Sequence, residues 1–445
     1  MKSFISFISL LLLSNASSAQ FGAPVIIDSN YSAQIRNIIA VDIDNDGLKD
    51  IVASHQTDTI KWYKNFGNNT FSAPVVLTST IAKPFFIDTG DADNDSKTDL
   101  LVANNNSNNS QVVLINNNGL IPTIIDSGLD VGTYRAYFTD FDNDGDEDIV
   151  ACSDLMITLY LNNGAGVFGN RIILLNGAEF YNMTVADFNG DNFPDIGLCS
   201  SDGIEVLLND TSGGLTAPNL LDLKLTGFIT NADIDNDAQK DLIFPNSSPH
   251  YDVYKNTGGG TFILNQTVAF YQPNIQNPPF AIGNVNADAF RDAVYSSINN
   301  NRSLYWQEND GAGNFQNEQL IDSTEMYDAI FLADMDNDGD NDILWYGFDF
   351  NAGQKKTGFI ENNTFTLGVE NIKTSPVRIY PNPASTFLNI ECQEKITGVE
   401  IYSAKGDKVA RYNTSKIDIS NLAKGSYLLN VTTNKNTFTT EFVKE

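Results

Sequence analysis

Basic residues are scarce in this chain. Lys and Arg total 26 of 445 residues against 56 Asp and Glu, a net charge of -30. A nucleic-acid backbone or an anionic membrane surface needs basic neutralisation, so both are excluded as partners. Histidine is nearly missing. His55 and His250 stand alone, outside any metal or nucleophile motif. No nucleophile elbow, zinc motif or phosphate loop occurs. The three cysteines, Cys152, Cys199 and Cys392, are too few and too odd in number for a disulfide framework. Cys152 and Cys199 each fall four residues after an aspartate, Asp148 and Asp195, which places them at equivalent points of adjacent repeats. Packed sheets stand about 10 Å apart, beyond disulfide reach, so both read as small buried apolar side chains. No run reaches the 18 apolar residues of a membrane-spanning helix.

What is present begins with an export signal. Lys2 precedes an apolar run from Phe4 to Leu13, and Ser17 and Ala19 sit at -3 and -1 of a cleavage site before Gln20. Residues 1–19 therefore read as a signal peptide. With aromatics at 11% the remainder can bury a core, and the excess of acid suits a protein that holds cations.

Self-comparison supplies the main result. Asp42-Ile-Asp44-Asn-Asp46-Gly47-Leu-Lys-Asp50 leads into Ile-Val-Ala, and the pattern recurs from Asp91, Asp140, Asp187, Asp233, Asn284 and Asp334, at intervals of 46 to 51 residues. A strand precedes each loop, a short apolar strand follows it, and two further strands complete the unit. Four short antiparallel strands per unit describe a propeller blade. A ring of blades buries faces that a lone blade cannot. The fold expected is all-β: a seven-bladed β-propeller over residues 20–369, a linker at 370–376, and a small C-terminal β-sandwich at 377–445. Phe21–Ile27 resembles a fourth strand with no loop before it, and Thr364–Val369 competes for the same place in the last blade. An open array of repeats is the alternative architecture.

The loops have the chemistry of a calcium site. Carboxylates at positions 1, 3 and 5 of a tight loop point inward, and a fourth at position 9 closes the shell around a hard cation that takes six to eight oxygens. Position 6 favours Gly or Asn in a left-handed conformation. The expected ligands are Asp42, Asp44, Asp46 and Asp50; Asp91, Asp93, Asp95 and Asp99; Asp140, Asp142, Asp144 and Asp148; Asp187, Asn189, Asp191 and Asp195; Asp233, Asp235, Asp237 and Asp241; and Asp334, Asp336, Asp338 and Asp342. That makes about six calcium ions, structural in role. Ala238 stands at the turn of the fifth loop and should strain it. The sixth copy, Asn284/Asn286/Asp288/Asp292 with Arg291 inside it, should bind weakly or not at all.

These loops, with Asn163–Phe168 and Asp310–Phe315 in the Asn/Asp-Gly-Ala-Gly-x-Phe pattern, resemble FG-GAP and VCBS repeats. That resemblance implies the calcium-binding propellers of integrin α-chains and many bacterial surface proteins. The segment Val377-Arg-Ile-Tyr380-Pro-Asn-Pro-Ala-Ser385, followed by Lys405-Gly406 and Lys424-Gly425-Ser-Tyr427, resembles the type A C-terminal sorting domain of the type IX secretion system. An ordinary carbohydrate-binding sandwich is the alternative. The resemblance implies the type IX machinery as a partner, export across the outer membrane of a Gram-negative bacterium, and usual removal of the tail.

For function, the sequence favours a binding or adhesion module for a glycan or protein ligand. Trp62, Tyr63, Tyr305, Trp306 and Trp345 are candidate contacts that also suit packing between blades. An extracellular polysaccharide lyase or hydrolase is the alternative. It would need an acid–base pair, while most acids here are committed to the loops.

Overall fold

The computed structural model of the chain describes all residues except 1–19, 30–33, 107–108, 130–131, 178, 225–226, 247–249, 269–278, 287, 298–301, 350–352, 365–376, 393–394, 404–407, 434–436 and 445. The signal peptide, the linker and most of Thr364–Val369 lie outside the described residues. The chain divides into two compact units, Met1–Phe365 and Thr366–Glu445.

The first unit consists of seven four-stranded antiparallel sheets. In blade 1 the strands are Ile35–Val41, Asp50–His55, Thr59–Tyr63 and Val75–Thr78, paired in that order. Blades 2 to 6 repeat it. The second strands begin at the closing acid of each loop: Asp50, Asp99, Asp148, Asp195, Asp241, Asp292 and Asp342. They are the sequestered heart of each blade, and Asp50–His55, Asp99–Asn104 and Asp148–Ser153 are buried throughout. The apolar runs of four to six residues seen in the sequence are therefore strands covered on both faces.

Those faces are covered by neighbouring blades. Every successive pair shares a buried apolar cluster. Ile39, Val52 and Ile60 of blade 1 pack with Ile87, Leu100 and Val113 of blade 2. The other clusters join blades 2 and 3, 3 and 4, 4 and 5, 5 and 6, and 6 and 7. A seventh joins blade 7 to blade 1 through Leu344, Tyr346 and Phe359 against Ile38, Ala53 and Tyr63. The ring is closed, which removes the open-array alternative. Cys152 lies in the cluster between blades 3 and 4, and Cys199 in the one between blades 4 and 5. Neither forms a disulfide.

Closure falls to the N-terminal strand. Val25–Ser29 pairs antiparallel with Gln354–Ile360, so blade 7 is built from Ala329–Ala333, Asp342–Asp349, Gln354–Ile360 and the start of the chain. Gly358 permits that approach: a Cβ there would stand 2.3 Å from the Val25 carbonyl oxygen and 2.7 Å from the Trp345 ring.

The first strands also tie blades together. Asp88 accepts a hydrogen bond from the Phe138 N–H of the next blade at 2.9 Å. Burial pushes its pKa up to about 7, against the hydrogen bonds that pull it down. The folded value lies above the unfolded value, so this group's contribution falls as pH rises from about 4 through 7. Asp88→Asn keeps an acceptor and removes the charge. It should stabilise the chain at pH 8 by about 1–2 kcal/mol and leave it unchanged at pH 4, read from chemical denaturation at both pH values.

The second unit is a two-sheet β-sandwich. Val377–Tyr380, Phe387–Cys392 and Lys416–Asp418 form one sheet. Lys408–Tyr412, Ile396–Ser403, Gly425–Thr433 and Thr437–Lys444 form the other. Leu388, Ile401, Ile417, Leu429 and Phe442 are fully buried between them.

Candidate metal centres

Each Asp loop joins the first strand of a blade to the second, and its backbone is held by its own acids. The carboxylate at position 1 accepts the N–H groups of positions 5 and 6. Asp42 takes Asp46 and Gly47, Asp140 takes Asp144 and Gly145, and Asp334 takes Asp338 and Gly339, at 2.8–3.2 Å. Asp91, Asp187 and Asp233 do the same. Two loop positions turn left-handed. Position 6 does so as expected, at Gly47, Gly145 and Gly339, and also at Ser96, Asn192 and Ala238. Position 4 does so too, which the sequence reading missed: Asn45, Asn94, Asn143, Asn236 and Asn337 have φ of 57–62°. Asparagine tolerates that region better than other side chains do, and the recurring Asn was the available signal. Ala238 has φ 72°. Ala238→Gly should relieve it and stabilise the chain by about 1 kcal/mol, measured by denaturation with calcium held constant.

Position 9 clamps the loop from below. Asp148 accepts the Phe141 N–H at 3.0 Å and the Asn162 N–H at 2.8 Å. Asp99, Asp195, Asp241, Asp292 and Asp342 make the equivalent pair, and Asp50 accepts from Asn65. Burial pushes these carboxyls up, to about 6 for Asp50, Asp148, Asp195 and Asp241, about 7 for Asp292 and about 8 for Asp342.

The asparagines at the end of the third strand are a functional set that the sequence reading passed over. Asn65, Asn162, Asn209, Asn256, Asn309 and Asn362 each send Nδ2 to the position-2 carbonyl of the preceding blade's loop, at 2.6–2.9 Å. Asn65 reaches Met335, so the series runs across the ring closure. Their signal was periodic, an Asn 14 to 20 residues after each closing acid. Asn256→Ala removes the amide that bonds the Phe188 and Lys240 carbonyls together, leaving Phe188 only the Gly260 N–H at 3.0 Å, and should cost about 1–2 kcal/mol, measured as a fall in denaturation midpoint.

Five loops gather three acids whose oxygens lie within 4.8 Å of one another: Asp42, Asp44 and Asp50; Asp91, Asp93 and Asp99; Asp140, Asp142 and Asp148; Asp233, Asp235 and Asp241; Asp334, Asp336 and Asp342. Two oxygens on one calcium, each at about 2.3–2.6 Å, can stand no farther apart than about 5 Å, so the donor sets fit that ion. Asp50 is fully buried, and its Oδ2 has no hydrogen-bond partner; the same holds for the buried Oδ1 atoms of Asp93 and Asp235. A buried carboxylate oxygen left in this condition calls for a cation.

Other expected ligands are placed differently. Asp46, Asp95, Asp144, Asp237 and Asp338 at position 5 stand outside the gathered sets. Each spends Oδ1 on the N–H two residues on, at 2.8–3.1 Å. In the fourth loop position 3 is the amide Asn189, which donates to Asp191 at 2.9 Å, so this loop has carboxylates only at positions 1, 5 and 9. In the sixth loop polarity is reversed. Asn284 donates Nδ2 to the Asp288 carbonyl at 2.6 Å, where an aspartate would accept.

A model described as an FG-GAP-like repeat matches residues 42–102, 91–151, 140–198 and 284–345, and one described as a secretion system C-terminal sorting domain matches 378–445. The chain carries FG-GAP-like repeats and a type IX sorting domain. No curated protein matches it. Among solved structures, the FG-GAP propeller is similar to a lectin of Agrocybe aegerita described as recognising non-reducing terminal N-acetylglucosamine. Identity is 19%, over 76% of this chain and 92% of that one, with a TM-score of 0.50. It is also similar to BBS1N in complex with ARL6DN, at 13% identity over 77% and 98% of the two chains and a TM-score of 0.51. At these identities the likeness shows the fold. The sorting domain implies export to the cell surface or the medium. Among the described residues no helix is long and apolar enough to cross a membrane.

The aromatic candidates fall mostly to the core. Tyr63, Trp306 and Trp345 are buried, and Trp62 and Tyr305 pack half-buried against the clusters between blades. The first three are closed to a ligand.

Proposed function

We propose that the protein is a calcium-stiffened propeller that works outside the cell as a binding or adhesion module for a glycan or protein ligand. The observation that supports it is an export domain joined to a ring whose acids are committed to loop and clamp. Asp42, Asp44 and Asp50, and the corresponding acids of blades 2, 3, 5 and 7, hold calcium. The ion neutralises closing carboxylates whose ionised form burial disfavours. Catalysis finds little support in the histidines. His55 is buried, and desolvation lowers its pKa to about 4, so it is neutral at physiological pH and closed to substrate.

The test is binding of the calcium-loaded chain to an array of surface polysaccharides and to extracellular matrix proteins, with product analysis on every glycan bound. Saturable binding without new reducing ends or unsaturated sugars is the expected result. Turnover of a bound polysaccharide would overturn the binding-module reading in favour of a lyase or hydrolase.

A further inference from the structure

The five gathered loops differ in one neighbour. The difference lies at the residue just before the asparagine that ends the third strand. It is Lys64 in blade 1, Asn116 in blade 2, Leu161 in blade 3, Lys255 in blade 5 and Glu361 in blade 7. Lys64 Nζ pairs with Asp44, and with Asp46 at 2.7 Å. Lys255 Nζ pairs with Asp235. Asp44 and Asp235 are the position-3 members of their gathered sets. In blade 2 the same atom group is met by neutral amides: Asn116 donates to Asp93 at 2.8 Å and Asn118 at 3.2 Å. Lys97 in that blade pairs with Asp95, which stands outside the set. Glu361 adds negative charge near Asp336, whose pKa is raised to about 6, mainly by burial.

We propose that Lys64 and Lys255 are built-in competitors for the metal, which make blades 1 and 5 weak, exchangeable calcium sites beside tight ones in blades 2, 3 and 7. This rests on the calcium reading above. An ammonium on a ligand carboxylate must leave before a dication takes that oxygen, and if it stays nearby it repels the ion. The sites remain usable. Asp50 Oδ2 in blade 1 and Asp235 Oδ1 in blade 5 are buried and without a hydrogen-bond partner, so neither lysine completes its loop. A chain that meets varying calcium outside the cell would thus keep its ring stiff through three blades while two respond to concentration.

Equilibrium dialysis of the full chain against calcium, with ion counting, tests it. The expected isotherm has a tight phase and a weaker one separated by about tenfold or more in Kd. Lys64→Met and Lys255→Met should each move one ion from the weak phase to the tight phase, and the double variant two. Lys64→Arg should leave the isotherm as it is. Asp44→Asn placed on Lys64→Met should remove the ion that moved, which assigns it to blade 1. A single uniform phase that neither methionine variant alters would overturn the inference and leave the calcium reading standing. A wild-type chain that binds no calcium would overturn both.

Discussion

Chelation will lower the melting temperature of the chain by more than about 10 °C, and calcium but not magnesium will restore it. The size follows from linkage. One site at 100 times its Kd adds about 2.7 kcal/mol to folding, and several such sites rival the roughly 5–15 kcal/mol of a typical domain. The structural reason is in the second strands. Each begins with an acid, and Asp50, Asp195, Asp241 and Asp292 are wholly inaccessible to water. Without a cation, each of the five gathered loops crowds three acids within 4.8 Å, and their mutual repulsion opposes the turn that their own hydrogen bonds favour. The closing acid also holds the N–H of the position-2 residue, whose carbonyl takes the asparagine amide of the following blade, so a loosened loop loosens the seam. Magnesium keeps its waters and demands octahedral geometry, so it should substitute poorly. Differential scanning calorimetry with calcium, magnesium and excess chelator, beside a metal count, makes the measurement. An unchanged melting temperature with no bound metal would reduce the loops to hydrogen-bonded turns.

The blades were legible in the sequence because strand burial is written locally. Ile51-Val-Ala, Leu100-Leu-Val and Ile149-Val-Ala are short apolar runs bounded by loop acids and turns, and the observed second strands start at the acid in every blade. The gathered acids were legible in part. Positions 1, 3 and 9 converge because alternate loop residues face inward, but position 5 turns to its own backbone, and a residue pattern carries no sign of that choice. What stayed hidden depends on neighbours across the ring. Asn256 looks like an ordinary turn residue until its amide is seen to reach the Phe188 carbonyl, 68 positions earlier. Lys64 looks like a solvated strand end until blade 1 folds it onto Asp44. Trp306 and Trp345 lie in strands, which made packing between blades the better reading of them than ligand contact, and the cluster between blades 6 and 7 buries both.

Deleting residues 20–29 will cost the chain more than about 5 kcal/mol, enough to leave much of it insoluble or to lower its melting temperature by about 10 °C. The sequence offered two strands for one place in blade 7, and this segment takes it. Its loss removes the ladder from Val25↔Phe359 to Ser29↔Lys356 and the bond from Gly22 N–H to the Glu361 carbonyl at 2.8 Å. It also removes Phe21, which packs edge-on to Trp306 of blade 6 at 6.4 Å, and Asp28, which accepts the Tyr63 hydroxyl of blade 1 at 2.9 Å. One segment thus bonds to three blades, and its deletion leaves Gln354–Ile360 as a bare edge open to aggregation. Milder variants separate closure from a simple folding defect. Phe21→Ala, at a half-buried site, should cost about 1–2 kcal/mol. Gly358→Ala keeps every residue of the strand but sets a Cβ against the Val25 carbonyl, and it should loosen the same seam with blades 2 to 5 intact. Hydrogen exchange would then show Val25–Ser29 and Gln354–Ile360 opening first, ahead of the other second and third strands. If residues 364–369 can serve as the fourth strand instead, the deletion will leave the melting temperature where it was, and blade 7 will prove to be closed by its own chain rather than by the N-terminus.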